Sequence, residues 1–307
     1  MPIPRMAKIW MDGDLVDWDD ARIHVLTPSL HYGWAVFEGM RAYATDRGPA
    51  IFQHRAHVER LYASAQILGM EIPFKPDELM EASRQLCRVN GQDSYYLRPL
   101  VYLGYGEMGL NPLPSAVKVM IAVWPWGAYL GEDSATSGVR AKISSWQRMG
   151  ANVIPTGAKA SGVYINSSLA KLEAVKAGYD EAIMLNEHGR VAEGSGENIF
   201  IVKDGLLITP PTHEGVLKGV TRDAVLDFAR DRDIPTLESP LLRQDLYTAD
   251  EAFFTGTAAE IVPIRSVDDR TIGRAGPITT QIQTIFSGVV RGREPKYDHM
   301  LDYVNHS

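Results

Sequence analysis

Short glycine turns set between apolar runs punctuate this chain, and wherever they occur they call for paired strands. Lys8-Ile9-Trp10-Met11 and Leu15-Val16-Asp17-Trp18 flank Asp12-Gly13. Ala182 to Leu185 and Val191 flank Asn186-Glu187-His188-Gly189, and Asn198 to Val202 and Leu206 to Thr209 flank Lys203-Asp204-Gly205. Such turns favour the left-handed backbone that a tight hairpin needs. Tyr95 to Tyr105, Val117 to Trp124, Val139 to Trp146 and Ala252-Phe253-Phe254 add strands rich in β-branched and aromatic residues. Helical spacing appears between them. Val58, Leu61, Ala65 and Leu68 mark a helix over Ala56 to Met70, and Leu79, Ala82, Leu86 and Val89 mark one that begins near Pro76 and stops at Asn90-Gly91. Further helices are predicted over Ser167 to Ala177, over Arg222 to Ala229 behind an N-cap at Thr221, and over Ile278 to Val290. The fold class is therefore α+β, a mixed α/β chain. Gly127 to Gly138, rich in Gly, Ser and Thr without apolar period, reads as an interdomain loop between a smaller domain 1–126 and a larger one 139–307.

At 307 residues, 45% hydrophobic and 22% charged, the chain has material for one large or two ordinary cores. A net charge of -7 and the lack of a basic run argue against nucleic acid as a partner. No apolar run is long enough to span a membrane and the N-terminus has no signal-peptide core, so a cytoplasmic location is expected. Cys87 is the only cysteine, which excludes an internal disulfide and fits a reducing compartment.

Within Met149 to Ala170 only Lys159 is ionised, and Gly157, Ala158, Ala160, Ser161 and Gly162 around it are small. A desolvated lysine without a partner is pushed toward the free amine, the form that attacks a carbonyl. Three further features bear on chemistry. Glu193-Gly194-Ser195-Gly196-Glu197-Asn198 places acids in a glycine-rich turn between strands. Gly219-Val220-Thr221 opens a helix, where backbone N–H groups and the helix dipole favour an anion, and Thr255-Gly256-Thr257-Ala258 follows a buried strand. Taken singly these are a turn, a cap and a strand end. Arg60, beside the apolar stripe of its helix, taken alone is an edge arginine that snorkels.

Together they meet the needs of pyridoxal phosphate: an imine lysine, an acid at the ring nitrogen and a phosphate cup. Glu193-x-Ser195-x-x-Asn198-Ile199-Phe200, Leu207-x-Thr209 and Leu217-x-Gly219-Val220-x-Arg222 resemble the signature of the class IV (fold type IV) aminotransferases. Several further runs resemble those of branched-chain amino-acid aminotransferases in particular: Tyr32-Gly33-x-x-Val36-Phe37-Glu38-Gly39-x-Arg41, Trp124 to Gly131, Ala158-Lys159-Ala160 and Phe254 to Glu260. The resemblance covers nearly the whole chain. It implies a smaller N-terminal α/β domain and a larger, β-barrel-like C-terminal domain with helices.

The resemblance also implies roles. Lys159 would be the catalytic residue, attached to the cofactor, with Glu193 on the pyridine nitrogen and Tyr164 on the phenolic oxygen. Arg60, Val220, Thr221 and Thr257 would hold the phosphate, with Leu217, Gly219 and Gly256 completing the cofactor site. Substrate would meet Phe37, Tyr164, Trp126 and Ala258 around an aliphatic side chain, Tyr96 with the backbone amides of Thr257 and Ala258 at the α-carboxylate, and Gly39 also at the substrate site. Arg98 and Tyr129 would take the distal carboxylate of glutamate, and Tyr32 and Leu110 would reach the site from a partner subunit of a homodimer or higher homo-oligomer. The implied reaction is ping-pong transamination between leucine, isoleucine or valine and 2-oxoglutarate. D-amino-acid aminotransferase and aminodeoxychorismate lyase share the lysine and the glutamate; Arg98 and the Trp126 to Gly131 run favour the branched-chain reading.

Departures are Trp34, where relatives carry a smaller residue, Lys218 in place of a common proline, and the absence of a cysteine pair after Thr257. Ser168-Leu169-Ala170-Lys171 spells the S-x-x-K of serine acyl transfer, without the partner motifs of such enzymes. A purely binding role leaves an isolated lysine and a ring-nitrogen acid unexplained. No metal site is expected, and His54 and His57 read as surface helix residues.

Overall fold

The computed structural model describes residues 3–127, 130–131 and 133–305. They pack as two compact units. The first comprises the residues up to Trp126 with Ala158–Val163 and those from Gly288 onward; the second comprises Gly127–Gly157 and Tyr164–Ser287.

The first unit holds β1 (Lys8–Met11), β2 (Asp14–Asp17), α1 (Pro28–Tyr32), β3 (Ala35–Phe37), β4 (Met40–Tyr43), β5 (Ala50–Phe52), α2 (His54–Ile67), α3 (Pro76–Asn90), β6 (Tyr95–Leu103) and β7 (Val117–Trp124). With the terminal strand Leu301–Tyr303 the strands form one antiparallel sheet, ordered terminal strand–β5–β4–β6–β7–β1–β2, with β3 also on β6. The β1–β2 turn forms as its sequence predicts, with Asp12 at φ 50° and Gly13 at φ 108°. Pro76 opens α3, and Gly91 closes it in the left-handed conformation, its N–H bonding the Cys87 carbonyl. Both long helices pack on each other and on the sheet, burying Val58, Leu61, Leu79 and Leu86 with Val36, Leu97 and Ile121.

His54 and His57 are not surface residues: they are 2% and 1% exposed. α2 is covered on more than its apolar stripe, and each ring is tolerated inside because a carboxylate meets its Nδ1, Asp302 for His54 at 2.5 Å and Glu38 for His57 at 2.7 Å.

The second unit contains α4 (Ser134–Ser137), β8 (Val139–Ile143), α5 (Tyr164–Lys176), β9 (Glu181–Leu185), β10 (Val191–Gly194), β11 (Asn198–Lys203), β12 (Leu206–Thr209), α6 (Val220–Asp231), β13 (Thr236–Glu238), α7 (Arg243–Tyr247), β14 (Glu251–Gly256), β15 (Glu260–Val267) and β16 (Arg270–Thr271), and α8 (Pro277–Val290) begins in it. Its sheet runs β10–β9–β8–β15–β14–β11–β12–β13, parallel at β8/β9, β8/β15 and β12/β13. The apolar runs of β11 and β14 pair in register, Phe200 opposite Phe253 with their rings stacked at 5.1 Å. The mixed α/β class expected from the sequence is the one observed. Within the expected loop 127–138, α4 forms, and Leu130 packs against the core of this unit.

Candidate active site

Lys159 is held by its backbone in the first unit. Its carbonyl accepts the Phe37 N–H at 3.0 Å, its N–H donates to Ser64 Oγ at 3.1 Å, and Ala160 bridges to Val36. The segment thus lies beside β3, joined to it by an isolated antiparallel bridge. The small residues around it serve this packing rather than opening space: Ala158 and Ala160 are buried, and a Cβ on Gly33 would come within 2.9 Å of the Gly162 Cα. The Lys159 side chain lies over Phe37, its Nζ 5.1 Å from the ring centroid.

Arg98 approaches the same ring from β6, with Cζ 4.8 Å from the Phe37 centroid, 5.3 Å from that of Tyr96 and 6.0 Å from that of Trp124. Its Nη2 donates to the Tyr96 hydroxyl at 3.2 Å, while its buried Nε has no hydrogen-bond partner among the described residues. Tyr96 packs edge-on against Trp126 at 4.3 Å, and Arg41 Nη2 holds the Trp126 carbonyl at 3.1 Å. Gly39 is obligatory beneath Tyr96, because a Cβ there would sit 2.0 Å from the tyrosine oxygen. Phe37, Gly39, Tyr96, Arg98, Trp126 and Lys159 are therefore brought together on one unit.

Arg60 does not snorkel. Its Nε and Nη2 fork onto the two oxygens of Glu38 at 2.7 and 2.9 Å, and Glu38 is fully buried. The guanidinium and His57 hold the Glu38 carboxyl far below the usual range against the opposing effect of burial.

In the second unit Glu193 sits on β10, 6% exposed. Arg148 Nη2 meets its Oε1 at 2.7 Å; its Oε2 accepts the Leu217 N–H at 3.0 Å and Asn198 Nδ2 at 3.3 Å. Asn198 also donates to the Leu217 carbonyl at 2.9 Å and packs against Gly219, where a Cβ would meet its Oδ1 at 1.9 Å. Leu217 and Gly219 thus lie beside the acid. The N-cap of α6 is Gly219, not Thr221, which is buried in the first turn. No side chain caps this end, so its first N–H groups are donors suited to an anion.

Thr257 and Ala258 form the turn after β14, and Gly256 passes close to Glu197, 3.6 Å from its Cγ to where a Cβ would be. Glu197 is 4% exposed, and burial together with nearby Glu181 pushes its pKa up to about 8. Tyr164 opens α5 and lines a cavity of about 380 Å³ with Ser167, Ser168, Lys171, Ser195 and Gly196. There Lys171 Nζ is paired with Glu181 at 2.6 Å, which engages the lysine of the S-x-x-K run in an ion pair.

Tyr32 and Leu110 lie on the surface of the first unit, 43% and 85% exposed. Tyr129 lies outside the described residues. Lys218 is exposed, 3.5 Å from Asp223. Trp34 leaves a buried Nε1 without a hydrogen-bond partner among the described residues. Sequence reasoning missed the roles of Arg148, Glu38 and His57. Arg148 lies far from Glu193 in the chain and nothing local joins them; Glu38 was visible only as one letter of a motif.

These features suit pyridoxal phosphate by the chemistry of their donors: a paired carboxylate on β10, an uncapped helix start beside it, and an amine on a pinned backbone. The profile "Amino-transferase class IV" matches residues 35–267. The chain belongs to this family of fold type IV pyridoxal-phosphate enzymes, and within it to the branched-chain amino-acid aminotransferase group. It is 50% identical over 291 residues to the branched-chain-amino-acid aminotransferase of Pseudomonas aeruginosa, covering 94% of each chain. The crystal structure of the Escherichia coli branched-chain amino acid aminotransferase matches with a TM-score of 0.96 at 46% identity, over 98% of this chain and 100% of that one. The PLP form of the Thermobaculum terrenum enzyme matches with a TM-score of 0.92 at 35% identity, over 98% and 99%.

Proposed function

We propose that the chain transfers the amino group of L-leucine, L-isoleucine or L-valine to 2-oxoglutarate, in two half-reactions that share one substrate pocket. The observation that carries this reading is Arg98. Its guanidinium stands in an aromatic wall of Phe37, Tyr96 and Trp124, with a buried Nε lacking a hydrogen-bond partner among the described residues. Among the described residues it pairs with no carboxylate. An apolar wall suits an aliphatic side chain, and an unsatisfied buried donor suits the distal carboxylate of glutamate or 2-oxoglutarate.

Bound pyridoxal phosphate supplies a ring that takes up the electrons released at the substrate α-carbon and stores nitrogen between half-reactions. The protein's own groups do the rest. Lys159 Nζ gives the attachment amine and, once displaced by substrate, removes and returns the α-proton. Glu193, held by Arg148, Asn198 and the Leu217 N–H, keeps a proton on the ring nitrogen. Arg60, the start of α6, Thr221 and Thr257 hold the phosphate, Tyr164 the phenolic oxygen, and Tyr96 with Thr257 and Ala258 the α-carboxylate.

We read the enzyme as a cytoplasmic homo-oligomer. Val25, Leu30, Tyr32, Tyr105, Leu110 and Leu113 are exposed apolar residues on the first unit, and α1 is tied to β6 through Ser29 Oγ and the Leu103 carbonyl. An apolar surface of this kind is typical of an interface. Cys87 is 1% exposed, and burial pushes its thiol up to about 12.

The test is the absorption spectrum of the holoenzyme. L-Leucine is expected to abolish the near-visible band and 2-oxoglutarate to restore it. A band untouched by L-leucine but shifted by D-alanine would replace the substrate class and leave the fold.

A further inference from the structure

The Phe37-Glu38-Gly39 turn carries three duties in three residues. Phe37 anchors the Lys159 backbone, Gly39 makes room for Tyr96, and Glu38, whose N–H bonds the Pro99 carbonyl at 3.0 Å, faces inward. Both Glu38 oxygens are occupied: Oε1 accepts Arg60 Nε at 2.7 Å, and Oε2 accepts Arg60 Nη2 at 2.9 Å and His57 Nδ1 at 2.7 Å. The Arg60 side chain is 14% exposed and that of Glu38 is 0%. Two parallel N–H···O bonds fix a guanidinium in its plane as well as in position.

Stability alone does not account for this arrangement, since a buried ion pair gains little over apolar residues of the same volume. Burial, more than the opposing pull of Glu38, lowers the His57 pKa, and the charges of Arg60 and Lys159 lower it further. That direction favours a neutral ring, one that donates to Glu38 without adding a second positive charge. The group amounts to one anion, one cation and one neutral donor, with the cation set at a fixed angle.

We propose that Glu38 is a positioning residue for cofactor binding: its buried carboxylate, backed by His57, presents the Arg60 guanidinium in the orientation that receives the phosphate of pyridoxal phosphate. This rests on the reading of Arg60 as a phosphate ligand. Glu38 touches neither substrate nor cofactor and acts through Arg60. When the phosphate is absent, the same carboxylate compensates the arginine charge.

The experiment titrates full-length protein, stripped of cofactor, with pyridoxal phosphate and separately with pyridoxal, which forms the same bond to Lys159 but has no phosphate. Glu38→Gln is expected to raise the Kd for pyridoxal phosphate about tenfold or more, as removal of an orienting partner commonly does, and to leave that for pyridoxal unchanged. Arg60→Ala should show the same selectivity, and Glu38→Gln combined with Arg60→Ala should be no worse than Arg60→Ala alone. If Arg60→Ala binds pyridoxal phosphate like the wild type, the phosphate reading of Arg60 falls. If Arg60→Ala is impaired and Glu38→Gln is not, the positioning role falls. Equal losses for both aldehydes would mark Glu38 as merely structural and also overturn it. Should Glu38→Gln fail to fold, Glu38→Asp keeps the charge and shortens its reach, and His57→Leu removes the donor of the backing bond. Either is expected to show the phosphate-selective loss, and a wild-type ratio in both would reject the proposal.

Discussion

Lys159 and Arg98 stand over one aromatic ring, Nζ 5.1 Å and Cζ 4.8 Å from the Phe37 centroid. On the proposed assignment, the side chain that would do the chemistry and the one that would select a second carboxylate share this apolar wall. One pocket would then serve two kinds of substrate, the aliphatic chain using the ring and the dicarboxylate the arginine.

Arg98→Ala is expected to slow the half-reaction with glutamate by two orders of magnitude or more, on the order of 3 kcal/mol for a buried charged hydrogen bond, and that with leucine far less. Single-turnover rates of cofactor conversion with each amino acid measure this. Equal losses would remove Arg98 from the distal-carboxylate role.

Arg148 and Glu193 are each nearly buried and meet at 2.7 Å. Arg148→Met leaves the carboxylate without its cation, and stability should fall by about 3 to 5 kcal/mol. Adding Glu193→Gln to Arg148→Met should recover part of that loss. Urea denaturation of the single and double variants reads both effects, and additive losses would deny the coupling.

Gly39→Ala drives a methyl group into the Tyr96 hydroxyl. The ring must shift, and its bond to Arg98 breaks with it. A stability loss of about 1 to 3 kcal/mol is expected from overpacking, with a raised KM for both substrates. A crystal structure of the variant with Tyr96 unmoved would contradict this.

Glu197 supplies a test in pH. Burial and Glu181 disfavour its charge and push its folded pKa from the ordinary 4.5 up to about 8. Between those values the unfolded chain has lost a proton that the folded protein keeps, so stability declines as pH rises through this window and levels above it. Glu197→Gln removes that decline. The variant should match the wild type near pH 4.5 and gain on it steadily up to about pH 8, as followed by thermal unfolding. A constant difference across pH would show that Glu197 does not titrate in that range.

What the sequence reveals depends on distance along the chain. The β1–β2 hairpin and the ends of α3 were legible because Asp12-Gly13, Pro76 and Gly91 act on their own neighbours. Thr221 misled as an N-cap because a hydroxyl at a helix start commonly caps, whereas here Gly219 packed on Asn198 takes that place. His54 and His57 looked exposed since their partners, Asp302 and Glu38, belong to other segments. Arg148 with Glu193, and Glu38 with Arg60, are of the same kind. A single sequence shows which acids and bases exist, but their pairing is decided by the sheet register.

The backbone of Lys159 is pinned on one side by Phe37 and on the other by Ser64. Its amine therefore moves on a tether of four methylenes swung from an immovable anchor. In the proposed reaction, once substrate displaces it, the amine would have nowhere to diffuse, and its local concentration at the substrate α-carbon would stay far above that of any free amine in solution. Speed in such a reaction then depends less on how strong a base the lysine is than on how short its leash has been kept.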